Sequence, residues 1–351
     1  MSVDAFGNRL AIREDLNGPA WHKLGGFDGE QTAQGTMEKF SDGIPTYQKR
    51  KVFVEWDNGF SPTSDFAIVR SETKDDPQRL VIGYCGKAYN IVQPEDIGVA
   101  FDECVKRPIE TLGILSAGRK MFVTWQLQKS KIIVGKDDEV NMFGSLMAGF
   151  DAKVAISLGI LNFRVVCNNT FQMAQNIVMK GEKSENGSAG RVWVGHHNSK
   201  NILRDLRAWM KHVEQESEKR AGLAESLFNR LAITPVNKES VLKSIIAQMY
   251  PMPNVNLDSI PVELREEKEQ KIVAEVEKVT EDRTLIEELF WGKDKTTNGV
   301  SAWDLFNNTT FYENHVRNSK KSPYNSIVFG NRSKQMNESL SVLADYSYNK
   351  N

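Results

Sequence analysis

Apolar and polar positions along the first half of the chain alternate in short runs. Lys51–Trp56 is β-branched and aromatic, Phe66–Arg70 follows, and Leu80–Tyr84 is a third run of the same kind. The link Ser71–Gln78, with Asp75-Asp76-Pro77 inside it, predicts a hairpin turn between the second and third. Met121, Val123, Trp125 and Leu127 alternate with Phe122, Thr124, Gln126 and Gln128, the clearest period-two pattern in the chain. Ile109–Leu115 falls beside it through the turn Ser116-Ala117-Gly118, and Lys131–Val134 continues the meander. Pro94-Glu95-Asp96 opens a helix reaching about Val105, since proline in a first turn and early carboxylates both favour that start.

The second half changes period. Lys183–Gly190 is a polar connection, and helical spacing dominates beyond it. One helix is predicted over Ser199–Ala221 with Gly222 as its stop, and a second over Lys238–Met249, ended by Tyr250-Pro251-Met252-Pro253. A charged helix over Val262–Leu289 carries the narrow apolar stripe Ile272, Val273, Val276 and Val279, the pattern of a solvated flank or a partner contact. The last helices fall near Ala302–Val316, with Ser301 and Asp304 as a capping box, and near Ser333–Leu343. Neighbouring antiparallel strands followed by helices define an α+β chain. The expected organisation is an α+β core domain over residues 1–190, with an antiparallel meander, and a helical region over 191–351 packed on it.

Charge narrows the partners. The 351 residues carry a formal net charge of −1, so any nucleic-acid surface must be a local patch. Cys85, Cys104 and Cys167 form no C-x-x-C pair and are odd in number, which argues against structural zinc and a disulfide framework and fits a reducing cytoplasm. Met1–Asp15 lacks the basic-then-apolar pattern of a signal peptide, and no apolar run approaches membrane-spanning length. The expectation is a soluble cytoplasmic protein with no membrane partner.

Candidate chemistry gathers in two places. Val154–Val166 is too apolar to be exposed, and after it Asn169 with Gln172 reads as a helix cap for a helix carrying Phe171, Ala174, Ile177 and Val178. Free N–H groups of Cys167–Thr170 at that start, with Arg164 nearby as a fork-shaped donor, would suit a phosphate held by Arg164, Asn168 and Asn169. The plainer alternative is a cap that binds nothing, with Arg164 paired to a carboxylate. The second place is the stripe Lys200, Arg204, Arg207 and Lys211, spaced by four, three and four residues, opposite Ile202, Leu206, Trp209 and Val213. With Arg191 and His196-His197 just upstream it reads either as a phosphate-backbone contact or as a solvated face. Trp56, Phe60, Tyr84, Tyr89 and Trp193 are candidates for base stacking or for packing.

Catalytic patterns are thin. Asp137-Asp138-Glu139 after Gly135-Lys136 reads as a turn, Cys167 has no histidine positioned as its base, and phosphate loops of the Walker type are missing. No catalytic residue, metal site or cofactor is therefore expected.

Several blocks resemble one family. Ala20-Trp21-His22-Lys23-Leu24-Gly25 is similar to the A-W-H-x-L-G opening of the phage/plasmid-like protein family, a domain of unknown function 932. Gly86–Asp96 is similar to its G-x-x-Y-x-x-V-Q-x-x-x-A segment, and Arg164–Thr170 to its R-V-V-C-x-N-T block. Ala302–Asn307 followed by Phe329-Gly330 resembles its closing A-W-x-L-x-N … F-G pattern. Gly195-His196-His197-Asn198 departs from the Arg-His-Thr-like triplet of members. The resemblance implies an origin in a phage, prophage or plasmid, where such genes serve DNA replication, recombination or evasion of host defence. The leading expectation is a non-enzymatic protein that binds single-stranded DNA and promotes annealing as a homo-oligomer. The alternative is a phage-encoded module that binds and inhibits a host defence protein. A metal-dependent nuclease using Asp137, Asp138 and His197 is a third reading.

Overall fold

The structure, a computed structural model, describes residues 2–3, 9–13, 26–27, 32–164, 169–172, 191–253, 262–292, 299–317, 326–327 and 330–350. Its strands are β1 (Ser2–Val3), β2 (Arg9–Arg13), β3 (Gly26–Phe27), β4 (Tyr47–Trp56), β5 (Gly59–Arg70), β6 (Leu80–Cys85), β7 (Ile109–Leu115), β8 (Lys120–Val134), β9 (Asp138–Gly149), β10 (Ile156–Arg164), β11 (Asn169–Gln172) and β12 (Arg191–Gly195). Its helices are α1 (Ala33–Lys39), α2 (Pro94–Cys104), α3 (Ile202–Ile233), α4 (Glu239–Met249), α5 (Val262–Trp291), α6 (Ala302–Phe311), continued by a π-helical turn at Tyr312–Val316, and α7 (Asn331–Asn349).

Strands concentrate in the first half and helices in the second, as an α+β chain requires. Contacts group the chain into two compact units. One takes Met1–Lys131, Asn141–Leu161 and Gly190–Ala221, the other Ile132–Val140, Asn162–Ala189 and Gly222–Asn351. A single boundary at 190/191 does not describe this grouping, because β8, β9 and α3 each contribute residues to both units.

In the first unit β1, β2, β7, β8, β9 and β10 lie in that order in one sheet, with β3 parallel beside β2 and β12 on β10. The β7–β8 hairpin matches the alternation read from sequence, with Leu112 opposite Val123 and Ile114 opposite Met121. Lys131–Val134 is no separate strand but the end of β8. Sequence reading missed β9 altogether. From Met142 to Gly149 every residue is buried, so no polar alternation marks it, and Asp138 was expected in the turn. Gly144 is obligatory there, since a Cβ would lie 2.1 Å from the Trp125 indole.

Helix α3 lays Ile202, Leu206, Met210 and Val213 into the core of this unit, with Met210 rather than the half-buried Trp209 as its third anchor. It is pinned by Glu214, which accepts from Trp125 Nε1 at 2.6 Å and from Arg107 Nε at 3.2 Å. The helix does not stop at Gly222. An exposed glycine costs a helix about 1 kcal/mol, and burial of Ala224, Leu227, Phe228 and Leu231 in the next turns outweighs that.

The three strands β4, β5 and β6 form a second antiparallel sheet in the same unit. Its inner face carries Tyr47, Ile68, Arg70, Gly83 and Cys85, all buried. The Tyr47 ring stacks on Phe150 at 4.2 Å and its hydroxyl donates to the Gly118 carbonyl at 2.6 Å. Gly83 approaches the Asp151 backbone so closely that a Cβ would sit 2.2 Å from its carbonyl oxygen. The base of this sheet is therefore fixed.

The second unit is helical. Ser301 caps α6 and exchanges hydrogen bonds with Asp304, the capping box expected from sequence. Trp303 packs on Phe228 at 4.8 Å and donates from Nε1 to Asp138 Oδ2 at 2.7 Å. A buried polar network holds α4, α5 and the π-helical turn together. Glu313 accepts from Tyr250 Oη at 2.8 Å and from Arg317 Nη1 at 2.7 Å, while Arg317 also reaches Asp282 at 3.3 Å. Asn169 opens strand β11, which packs against α6 and α7, so the expected helix cap at that position is overturned. An Asn-x-x-Gln spacing serves a cap only where the backbone turns, and here Asn169–Gln172 remains extended.

Candidate nucleic-acid interface

Register brings together on the outer face of β4–β5–β6 what the sequence keeps apart. Directly opposed residues of paired strands share a face. Arg50 lies opposite Ala67, and Ala67 opposite Tyr84, so a cation and an aromatic ring flank one small residue. The next row is Gln48, Val69 and Val81. Tyr84 is 65% exposed, and Arg50 is exposed and bridged to Gln48 Oε1 at 2.7 Å. At the end of this face a cavity of about 60 Å³ is lined by residues that include Gln48, Arg50, Ser71, Glu72 and Arg79. Arg79 is held there by Glu72 at 2.7 Å. On the opposite face Lys49 and Lys51 stand over the Phe66 ring at 5.4 and 4.9 Å, and Lys49 Nζ donates to the Lys87 carbonyl at 2.9 Å.

Beyond Lys51 the register shifts and the hairpin continues as a projecting tip. Phe53 opposes Pro62 and Glu55 opposes Phe60, while Val54 and Trp56 point to the other face. Basic side chains mark the stem; Glu55 and Asp57 mark the tip.

The cationic stripe survives only in part. Lys200 lies in the turn before α3, and Arg204, Arg207 and Lys211 lie on the helix. Arg207 Nε reaches Glu103 at 2.7 Å, across 104 residues, and Arg204 pairs with its neighbour Asp205 at 3.3 Å. Lys200 and Lys211 are exposed.

The other expected site residues divide between the two units. Arg164 ends β10 and Asn169 begins β11, both in the second unit, whereas Arg191 begins β12 and the α3 cations belong to the first. Asn168 and Cys167 lie outside the described residues. With β11 in place of a helix start, the phosphate site built on a capped N-terminus loses its basis. Of the stacking candidates Trp56, Phe60 and Tyr84 are exposed, Trp193 is half-buried and Tyr89 is buried. Sequence reading passed over Arg50 and Arg79. The signal available was the run Lys49-Arg50-Lys51 entering an aromatic strand.

Tyr89 instead stacks on His197 at 4.7 Å, and His197 Nδ1 faces the Asn90 carbonyl at 3.0 Å. A carbonyl only accepts, so Nδ1 carries the proton. Burial holds the imidazole below its ordinary pKa, with the Asn90 carbonyl opposing. Asp138 is engaged by the Trp303 indole. Among the described residues no group of three or more His, Cys, Asp or Glu side chains is placed to hold a metal ion. No helix among them is long and apolar enough to cross a membrane.

An α+β chain with these motif blocks points to one family. The model of the family described as Domain of unknown function (DUF932) matches residues 81–343, and the chain belongs to that family. No curated protein and no solved structure matches the chain. Motif residues within the match have structural work: Tyr89 carries His197, Gln93 meets the edge of β4, and Trp303 holds Asp138. Ala20–Gly25 and Phe329 lie outside the described residues.

Proposed function

We propose that this protein binds single-stranded DNA along the outer face of β4–β5–β6 and promotes strand annealing in replication or recombination of a mobile element, without a cofactor. The observation that carries this reading is the row Arg50, Ala67 and Tyr84. A nucleobase stacks on an exposed ring whatever its sequence, and a guanidinium on the same face meets the adjoining phosphate. Ala67 between them leaves the ring accessible. Lys49, Lys51, Arg79, Lys200 and Lys211 add attraction that weakens with salt. A near-neutral chain with a local basic-aromatic face suits a binding protein better than a polycationic coat.

The test is fluorescence anisotropy of a labelled oligonucleotide at low and moderate salt. Binding at low salt that falls with salt, and falls again in Arg50→Glu and Tyr84→Ala, supports the reading. No binding at low salt, or binding indifferent to both substitutions, rejects it.

A further inference from the structure

The tip of the β4–β5 hairpin gathers several exposed large apolar side chains. Phe60 is 71% exposed, Trp56 64%, Phe53 54% and Val54 41%. They occupy both faces, so no single packing event within one chain covers them. Contiguous apolar exposure of this kind marks an interaction element. Glu55 and Asp57 sit among these side chains and would repel a phosphate backbone, which separates the tip from the basic stem. The occupant must therefore offer cations and a flat place for a ring.

This chain presents such a surface. On α3 the exposed stripe runs Arg204, Ala208, Lys211 and Gln215, with exposed Lys200 one turn before it. Ala208 leaves a shallow place between two cations, where an aromatic ring gains both contact and cation–π attraction. Arg204 pairs with its neighbour Asp205 at 3.3 Å, and its side chain stays 74% exposed. Acidic-aromatic tip and basic helix face are complementary in charge.

We propose that the hairpin tip of one copy docks on the Lys200–Lys211 face of α3 in a second copy. The two patches differ, so the contact is head-to-tail and each added copy leaves one tip and one face open. Such association grows into rings or filaments rather than stopping at a symmetric dimer.

Sedimentation velocity of the full chain at rising concentration and low salt, free of nucleic acid, tests this. The expected result is species larger than dimers that shrink as salt rises. A double variant Trp56→Ser/Phe60→Ser, altered only at exposed positions, should sediment as a monomer with an unchanged circular dichroism spectrum. So should Arg204→Glu/Lys211→Glu. Mixed together, these two variants retain one good tip and one good face between them, and should form 1:1 dimers that do not grow. Adding Glu55→Lys/Asp57→Lys to Arg204→Glu/Lys211→Glu in one chain should restore larger species. Tyr84→Ala should sediment as the unaltered chain does, which keeps this outcome separate from DNA binding. A chain that stays monomeric at every concentration, tip variants that assemble normally, or a variant mixture that remains monomeric would each overturn the proposal.

Discussion

The side-chain amide of Gln93 lies against the backbone of Tyr47 as a neighbouring strand would. Its Oε1 accepts from the Tyr47 N–H at 3.0 Å and its Nε2 donates to the Tyr47 carbonyl at 2.8 Å. One side chain thus closes the first residue of the β4 edge, where open backbone groups would invite another strand. Gln93→Ala should cost about 1–3 kcal/mol, since both backbone groups lose a partner in a half-buried place. Gln93→Glu keeps an acceptor but no donor and should fall between. Urea denaturation compares the three, and equal stability of all of them would refute the strand-like role.

The Glu313–Arg317–Asp282 network is the next point of vulnerability. Both carboxylates are nearly or fully buried and share one guanidinium. Burial pushes the Glu313 carboxyl above its ordinary value, and Arg317 pulls against it. Arg317→Met removes that counterweight and should destabilise the protein by about 3–5 kcal/mol. Thermal unfolding of Arg317→Met and of the milder Glu313→Gln measures it, and a loss confined to a few tenths in both would show the network to be idle.

Stability should also fall in mild acid through His197. Its folded pKa lies below the ordinary 6.5 because burial disfavours the charged ring. Below 6.5 the unfolded chain takes up a proton that the folded chain lacks, so this contribution is complete above that pH and is lost as pH falls toward the folded pKa. The slope cannot exceed about 1.4 kcal/mol per pH unit for one group. His197→Phe keeps a ring against Tyr89 and removes the titration, so its stability should fall less between about pH 7.5 and 5.5. Denaturation at both pH values decides, and parallel pH profiles would exclude His197 as the source.

For DNA binding, Tyr84→Ala should cost about 1–3 kcal/mol, near tenfold or more in affinity, while Tyr84→Phe retains the stacking surface and should change little. Arg50→Gln should instead lower the dependence of affinity on salt by about one released counterion. Anisotropy titrations across salt concentrations separate the two effects, and a tyrosine whose removal alters only the salt slope would not be a stacking platform.

The fold was legible where one local signal decided the outcome. The Asp75-Asp76-Pro77 link does join two antiparallel strands, Met121–Leu127 alternates against Ile109–Leu115, and Ser301 caps α6. It was illegible where a distant contact overruled the local signal. Nothing near Gly222 reveals the burial that carries α3 past it, and Asn169 offers the same side chain to a cap or a strand. The site was harder still. Arg50 and Tyr84 meet only through the register of three strands, including a bulge at Ile82 that period-two counting cannot foresee. The cationic stripe was visible as spacing, but Glu103, which neutralises Arg207, comes from another helix.

The close approach of Gly83 to the Asp151 carbonyl has a bearing on how this protein can diverge. It works as a fixed hinge pin, admitting no side chain beside the root of the hairpin, while the exposed side chains from Phe53 to Phe60 are free to drift around the constrained Gly59. Substitutions at those side chains, Gly59 apart, should cost little stability. A library randomised over Phe53–Trp56 and Phe60, with Gly59 kept because its φ of +132° favours glycine, should fold nearly throughout, whereas one randomised at Gly83 should yield little soluble protein.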